Sequence, residues 1–364
     1  MRILVVNAGS SSLKLRVIEP NDSVSASHDL PAPHGPTGVA GLAEAIRGLG
    51  PVDAVGHRIV HGGTEFTKAV VLNPEVEQSL RGLTDLAPLH QPKSLAALDA
   101  TTATLPKVRA VACFDTAFHA SLPAAAATYA LPSEWRVRWQ LRRYGFHGLS
   151  HAYCSRRSAT LLGRPVESLR IVTCHLGAGA SLCAVLNGRS VDTTMGFTPL
   201  EGLVMATRSG SIDPGLVLWL EQHVGMPPAE LAEVLENRSG LLGLGGHAEM
   251  PVLLSKREAG DHAATLATDV YIHRLCAGIA AMAAAMDGLD VLVFTGGVGE
   301  NSPPIREYCT GRLGFLGVRI DFRRNNAVRG DQQIGSADSE VAVVVVTSRE
   351  DLQIAHEVRQ LLRG

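Results

Sequence analysis

The stretch Ile3-Leu4-Val5-Val6-Asn7-Ala8-Gly9-Ser10-Ser11-Ser12-Leu13-Lys14 sets the reading of the whole chain. Four branched apolar residues predict a buried strand, and the glycine and small hydroxyl residues after Asn7 predict a sharp turn. Leu13, Leu15, Val17 and Ile18, with Lys14 and Arg16 between them, then predict a returning strand. A strand that comes straight back is a hairpin, not a strand-to-helix phosphate loop. Its tip nonetheless gathers backbone N–H groups, the hydroxyls of Ser10 and Ser12 and the ammonium of Lys14, donors suited to a polyphosphate. A Ser-rich turn standing alone is more often only a polar turn, so the rest of the chain has to decide between the two.

With 364 residues, 46% apolar and 19% charged, the chain has the composition of a globular protein long enough for two domains. Its formal net charge is −2, without a cluster of Lys and Arg interleaved with aromatics, which argues against nucleic acid as a partner. Six cysteines, Cys113, Cys154, Cys174, Cys183, Cys276 and Cys309, form no C-x-x-C pair and sit mostly in apolar segments, as reduced thiols in a cytosol do. The first residues lack the charged segment and apolar run of a signal peptide. The Ala-rich run over 277–286 is too short to span a bilayer. A cytoplasmic protein with no membrane partner is expected.

After the hairpin, Asn21-Asp22 predicts a turn into a third short strand, and the Pro/Gly-rich residues 31–41 predict a surface loop. Residues 53–61 predict a strand ending in Gly56-His57-Arg58-Ile59-Val60-His61-Gly62-Gly63, and strand ends are where ligands sit in α/β sheets. Helices are expected over 75–83 and 92–104, the second with Pro92 in its first turn, and Ala87-Pro88-Leu89-His90 lies between them. A strand over 108–114 delivers Asp115-Thr116-Ala117-Phe118-His119, placing a carboxylate where it can hold a metal. Ser150 is expected to cap a helix running to Leu162.

The middle of the chain echoes its start. Ile171-Val172-Thr173-Cys174-His175-Leu176 predicts a strand, Gly177-Ala178-Gly179-Ala180-Ser181 a small-residue tip, and 182–186 a return before the turn Asn187-Gly188 and a third strand. Strand, tip, strand, turn, strand thus occurs twice and predicts a duplicated fold. Further helices are expected from the Asp213-Pro214 cap to Val224, over 228–237, and over 261–287, the last stopped by Gly288. Residues 291–294 lead into Thr295-Gly296-Gly297-Val298-Gly299-Glu300-Asn301, a strand, glycine loop and helix start whose free N–H groups suit a phosphate or ribose. A last strand over 341–346 and a closing helix from Glu350 complete the pattern.

Two glycine-rich hairpin tips and one glycine loop, each after an apolar strand, join Arg58, Asp115 and Arg208 in pointing to phosphoryl transfer. That is the pattern of two similar lobes closing on a nucleotide in the actin, sugar-kinase and heat-shock ATPase superfold. The chain has no G-x-x-x-x-G-K-[ST], so it is not a P-loop enzyme. His57 with His61 and His147 with His151 have the i, i+4 spacing of a helical zinc site, but the first pair lies on a strand and neither has a neighbouring Glu or Cys partner. Zinc is therefore not expected. Of the fourteen histidines, His90 and His147 are the two placed near the ligand. Arg208, set among Thr207, Ser209, Gly210 and Ser211 before a helix cap, reads as an anion contact in preference to a surface ion pair.

Together with Arg143-Tyr144-Gly145-Phe146-His147-Gly148, Met195-Gly196-Phe197-Thr198-Pro199-Leu200-Glu201-Gly202 and Thr207-Arg208-Ser209-Gly210-Ser211-Ile212-Asp213-Pro214, these motifs resemble the acetokinase, or acetate kinase, family from residue 1 into the final helix. The fold this implies is α/β, two similar ribonuclease-H-like lobes (a duplicated βββαβαβα) with an active-site cleft between them. The lobes are expected to be 1–145 plus 349–364 and 146–348. The resemblance implies reversible, direct in-line phosphoryl transfer from ATP to acetate giving acetyl phosphate and ADP, with magnesium or manganese, in a homodimer. Carried over by motif, Arg58 and Arg208 hold the carboxylate and the transferring phosphoryl, and His147, with Arg208, stabilises the transition state. Asp115 and Glu350, with Asn7, are the magnesium-side residues. Ser10, Ser12 and Lys14, with His175, Gly177, Gly179, Gly297, Gly299 and Asn301, match the phosphate and nucleotide contacts. Val60, Leu89, Phe146 and Pro199 match a small apolar pocket for the methyl group.

The departures lie on the nucleotide side. Ala178 and Ala180 stand where the family has an Asn and a Ser, Met250-Pro251-Val252 stands where it has Asp-Phe-Arg beside the adenosine, and the segment around 20–50 is shortened. Weak or unselective nucleotide use is expected. A propionate or butyrate kinase, a pyrophosphate-using relative and a nucleotide-binding protein without turnover are the alternatives, the last opposed by the presence of Arg58, His147, Asp115 and Arg208.

Overall fold

The structure, a computed structural model, describes residues 1–9, 12–31, 35–86 and 91–363. Ser10, Leu89 and His90, singled out above, lie outside the described residues. Two compact units form. The first comprises Met1–Ala120, Phe146–Tyr153 and Arg349–Gly364, and the second Ser121–Gly145 and Cys154–Ser348.

In the first unit, β1 (Ile3–Ala8), β2 (Ser12–Ile18), β3 (Val24–Pro31), β4 (Ala54–Ile59), β5 (Val70–Val71) and β6 (Arg109–Phe114) form one sheet in the order β3-β2-β1-β4-β6-β5. The hairpin is as expected: β1 pairs antiparallel with β2, Asn7 opposite Lys14, and parallel with β4. The unbroken apolar run of β1 is explained by burial of both its faces, since alternate residues point to opposite sides of a sheet. Leu4 and Val6 join a cluster with Leu42, Ile46, Leu49, Ala97 and Ala100, while Ile3 and Val5 join Ile354, Ala355 and Val358 of the closing helix Glu350–Arg363. That helix lies so close to β4 that a Cβ on Gly56 would come within 2.5 Å of Ile354 Cγ2.

Two local expectations fail here. Residues 31–41 were to be a surface loop, yet Gly35–Gly48 is helical. Its prolines and glycines weaken local propensity, but Leu42 and Ile46, one turn apart, are buried against the sheet, and that packing outweighs propensity. Ser150 does not cap a helix either: the helix Gly148–Leu162 starts two residues earlier and Ser150 is buried within it.

The second unit repeats the plan. Its strands β7 (Arg170–Leu176), β8 (Ala180–Leu186), β9 (Arg189–Thr193), β10 (Val291–Thr295), β11 (Gln332–Gln333) and β12 (Ala342–Val345) run β11-β12-β10-β7-β8-β9. Read from β9, the order and the strand directions match the first sheet position by position: an antiparallel three-stranded meander, two parallel strands and an antiparallel edge. The duplication read from the two hairpin tips is thus present in the strand pairing itself. The long helix His262–Ala284 begins at Asp261, whose side chain accepts from the Ala264 N–H, and it lies against β8 through Gly278, where a Cβ would approach Leu182 to 2.7 Å. No helix among the described residues is long and apolar enough to cross a membrane.

Candidate active site

In the first unit the carboxyl ends of β1, β4 and β6 place Asn7, Arg58 and Asp115 side by side. Arg58 grips Asp115 in a fork, Nε to Oδ1 at 3.0 Å and Nη2 to Oδ2 at 2.6 Å, with the carboxylate only 1% exposed. Arg58 Nη1 donates to Asn7 Oδ1 at 3.2 Å, and Asn7 Nδ2 donates to Glu350 Oε2 at 2.8 Å. A continuous ladder Asp115–Arg58–Asn7–Glu350 results. Glu350 stands in the first turn of the closing helix, where a negative charge meets the positive end of the helix dipole. Burial raises the Asp115 carboxyl against the pull of Arg58. Burial works against the Arg58 charge too, but Asp115 and Glu350 more than offset it, so the guanidinium is held firmly protonated. Lys14 is exposed on β2, opposite Asn7 in the hairpin register, and Ser12 closes the tip by accepting the Gly9 N–H on its carbonyl at 2.8 Å.

His147 is held in an unusual backbone state. Its φ is +56°, the left-handed region that residues with a side chain seldom enter. Both neighbours are fixed: the Phe146 carbonyl meets His119 Nε2 at 3.0 Å, and the Gly148 N–H donates to the Asp115 carbonyl at 2.9 Å. A Cβ on Gly148 would overlap that same carbonyl oxygen, so only glycine fits. Such a conformation persists only where its surroundings impose it. Phe146 is buried edge-on against the ring of His61 at 5.6 Å, and Val60 follows β4, also buried. His119 and Gly148 are the residues the motif reading passed over. Both stood inside quoted motifs, but nothing local shows that the Asp115–His119 segment clamps the Phe146–Gly148 segment.

In the second unit, β7 and β10 are parallel neighbours with His175 opposite Thr295. Their ends bring the tip carrying His175, Gly177 and Gly179 beside the short helix Gly296–Asn301, which follows β10 with no loop between them, contrary to expectation, and carries Gly297, Gly299 and Asn301. Gly296, at φ +77°, lies against Leu176, where a Cβ would meet the carbonyl oxygen at 2.8 Å. One donor expected to be free for an anion is not: the Gly296 N–H is taken by Glu300 Oε1 at 2.9 Å, which also accepts from Ser348. The space around Gly297 is open. Ala178 is exposed on the tip, and its carbonyl accepts from Ala206 at 3.1 Å, linking the tip to the segment that carries Arg208. Ala180 and Met250 are buried, and Pro251 and Val252 open the exposed start of the helix Met250–Glu258.

Arg208 donates to the Pro199 carbonyl at 3.2 Å, so these two predicted residues meet. Among the described residues no carboxylate lies within 4 Å of its guanidinium, only the longer-range charge of Glu236. Burial accordingly lowers its pKa, the opposite of Arg58. A guanidinium held partly out of water without a counter-ion is a ready anion contact.

Two sheets of one topology, each carrying charged or glycine-rich strand ends, define a protein of the duplicated sugar-kinase and actin-like class. The comparisons narrow that class. The acetokinase family model matches residues 39–356. An acetate kinase of Trichormus variabilis is 49% identical over 88% of this chain and 80% of its own length, and one of Coprothermobacter proteolyticus is 42% identical over the full length of both. Among solved structures, Porphyromonas gingivalis acetate kinase superposes with a TM-score of 0.91 at 36% identity, covering 99% of each chain. A propionate kinase from Francisella tularensis gives 0.90 at 34% identity, covering 98% of each. The chain belongs to the acetokinase family.

Proposed function

We propose that this chain is an acetate kinase, transferring a phosphoryl group reversibly between ATP and acetate to give acetyl phosphate and ADP. The observation that carries the reading is the buried Arg58–Asp115 pair, tied through Asn7 to Glu350, in a chain of this family. Acetate is already an anion at neutral pH, so its oxygen needs no general base. The obstacle is pushing one anion onto another, and positive charge must relieve it. Arg58 binds the acetate carboxylate, Arg208 the transferring phosphoryl, and His147 donates to the oxygens on which charge accumulates. In the first unit Val60 and Phe146 are assigned to the methyl group. Ser12 and Lys14 of the first unit are assigned to phosphate contacts, and His175, Gly177, Gly179, Gly297, Gly299 and Asn301 of the second to nucleotide contacts.

The donor set fits magnesium. Asp115, Glu350 and Asn7 offer hard oxygens, and Mg²⁺ is usually held by one or two carboxylates plus substrate phosphates, not by an all-protein cage. When bound, the ion supplies charge neutralisation at the phosphates.

Trapping acyl phosphate as hydroxamate, with acetate, propionate and butyrate each set against ATP, GTP and pyrophosphate, tests the reading. Acetate with ATP should give product, and no product with any pair would refute it. Propionate is the second reading, favoured by the likeness to a protein named propionate kinase. Each surplus methylene in a fixed pocket is worth about 1–3 kcal/mol, so Val60→Ala should shift preference toward longer acids.

We also place the enzyme in the cytoplasm as a homodimer. Ile212, Leu216, Leu218, Trp219 and Val224 all stand exposed within one stretch of thirteen residues, and exposed apolar side chains suit burial against a second copy of the chain. Sedimentation equilibrium should give twice the chain mass, and a monomer would remove this part of the proposal.

A further inference from the structure

None of the six cysteines is in a disulfide, and the sulfurs of two of them are in contact. Cys276, on the helix His262–Ala284, and Cys309, on the helix Pro303–Thr310, have their sulfurs 3.8 Å apart, and the Cys276 thiol also reaches the Cys309 carbonyl at 3.5 Å. Their environments differ. Cys309 is fully buried, whereas Cys276 is partly open to solvent, as none of the other five is. We propose that Cys276 and Cys309 are an oxidation site, a dithiol that a hydroperoxide converts to a disulfide.

The chemistry balances without any further reactant. The Cys276 thiolate attacks one peroxide oxygen, an S–O bond forms as the O–O bond breaks, and the departing hydroxide leaves as water. The Cys309 thiol then attacks the Cys276 sulfenic sulfur, the S–S bond forms, and the S–O oxygen leaves as a second water. Two thiols and one hydroperoxide thus give one disulfide and two waters, or one water and one alcohol for an alkyl hydroperoxide. Attack falls to Cys276 because it is the accessible partner. The hydrogen bond with Cys309 lowers its pKa against the opposing effect of burial, with a smaller contribution from the charge of Arg312. The sulfurs must close from 3.8 Å to about 2.05 Å, within reach of side-chain rotation and a small helix shift.

A bond here would fasten the helix Pro303–Thr310, which supports the short glycine-rich helix Gly296–Asn301. Three residues before Cys309, Arg306 is completely buried, and its Nη1 donates to the carbonyls of Gly299 at 2.8 Å and Glu300 at 2.9 Å. Its Nε and Nη2 are anchored on Asn325. Movement of Cys309 toward Cys276 is therefore passed to the short helix carrying Gly297, Gly299 and Asn301. The expected effect, which rests on the nucleotide reading of that helix, is a several-fold rise in KM for ATP with the KM for acetate unchanged.

The site itself is tested without reference to activity. The full chain is treated with hydrogen peroxide, quenched, denatured and titrated with a thiol reagent, and its peptides are mapped by mass spectrometry. Four of the six thiols should remain, the Cys276 and Cys309 peptides should be joined and two hydrogens lighter, and dithiothreitol should restore all six. Cys276→Ser and Cys309→Ser should each abolish the cross-link. Retention of six thiols, a sulfinic acid on Cys276 beside an unmodified Cys309, or loss of two thiols in Cys276→Ser as well would overturn the proposal. A cross-link that forms and leaves the KM for ATP unchanged would keep the oxidation site and remove the nucleotide reading of the helix Gly296–Asn301.

Discussion

The Gly148 N–H donates to the Asp115 backbone carbonyl at 2.9 Å, so the residue after His147 is fastened to the residue that pairs with Arg58. With the Phe146 carbonyl held by His119, the left-handed backbone of His147 is fixed from both sides. Gly148→Ala should therefore act on catalysis through His147. A displacement of about 1 Å at a reacting group can cost about 10²-fold, so kcat should fall by roughly that factor, with circular dichroism like the wild type. His119→Ala should lower kcat in the same direction. Wild-type turnover in Gly148→Ala would show that the position of His147 is immaterial.

Arg58→Ala should damage stability as well as rate. Removing one member of a buried pair leaves the other charge unpaired, at a cost of roughly 3–5 kcal/mol, and Asp115 is 1% exposed. The double variant Arg58→Ala/Asp115→Ala should recover part of that stability in urea unfolding and none of the activity. Equal stability of the single and double variants would mean that the pair does not carry its charge in the fold.

Three of the four histidines buried among the described residues should make the fold acid-sensitive. Burial pushes His57, His61 and His119 each down to about 4. A histidine depressed in the folded state is stabilising above its unfolded value, and that contribution is lost as pH falls from there toward the folded value. The unfolded chain binds the extra protons, so stability should decline from about pH 6.5 downward, by up to about 1.4 kcal/mol per pH unit for each histidine. Urea midpoints at pH 7.5, 6 and 5 check this, and a flat profile would contradict the burial of these neutral rings. His119→Gln should flatten part of the slope.

Nucleotide use should be poorly selective, with ATP and GTP giving similar kcat/KM. Ala178 is exposed on a tip whose backbone is fixed by Ala206, so Ala178→Asn adds an amide without moving the chain. A hydrogen bond to a charged group is worth roughly 1.5–3 kcal/mol, and the gain in ATP use should not exceed that. Strong ATP selectivity in the wild type, untouched by this change, would show that other residues build the adenosine site.

Much of the fold was legible because its signals are local. The β1–β2 and β7–β8 hairpins announce themselves by apolar runs broken by glycine tips, and the helix from Asp261 by its cap. The misread segments are those where distant packing overrides local chemistry. Leu42 and Ile46 hold a helix together despite Gly35, Pro36 and Gly41, because the sheet beneath buries them. The helix expected to start at Ser150 starts at Gly148, where the Asp115 carbonyl takes the amide. In the candidate site the residue types were readable from motifs, whereas their joining was not. Asn7 and Glu350 stand 343 positions apart, and Cys276 and Cys309 meet only because two helices pack.

The most direct test of the central claim is phosphorus NMR of the enzyme with acetate and MgATP. An acetyl phosphate resonance should grow in step with ADP, stay absent without acetate, and slow by roughly 10²- to 10³-fold in Arg208→Ala, which removes charge needed at the transition state. Release of inorganic phosphate with ADP and no acetyl phosphate, or an unaltered rate in Arg208→Ala, would contradict direct transfer to the carboxylate as described.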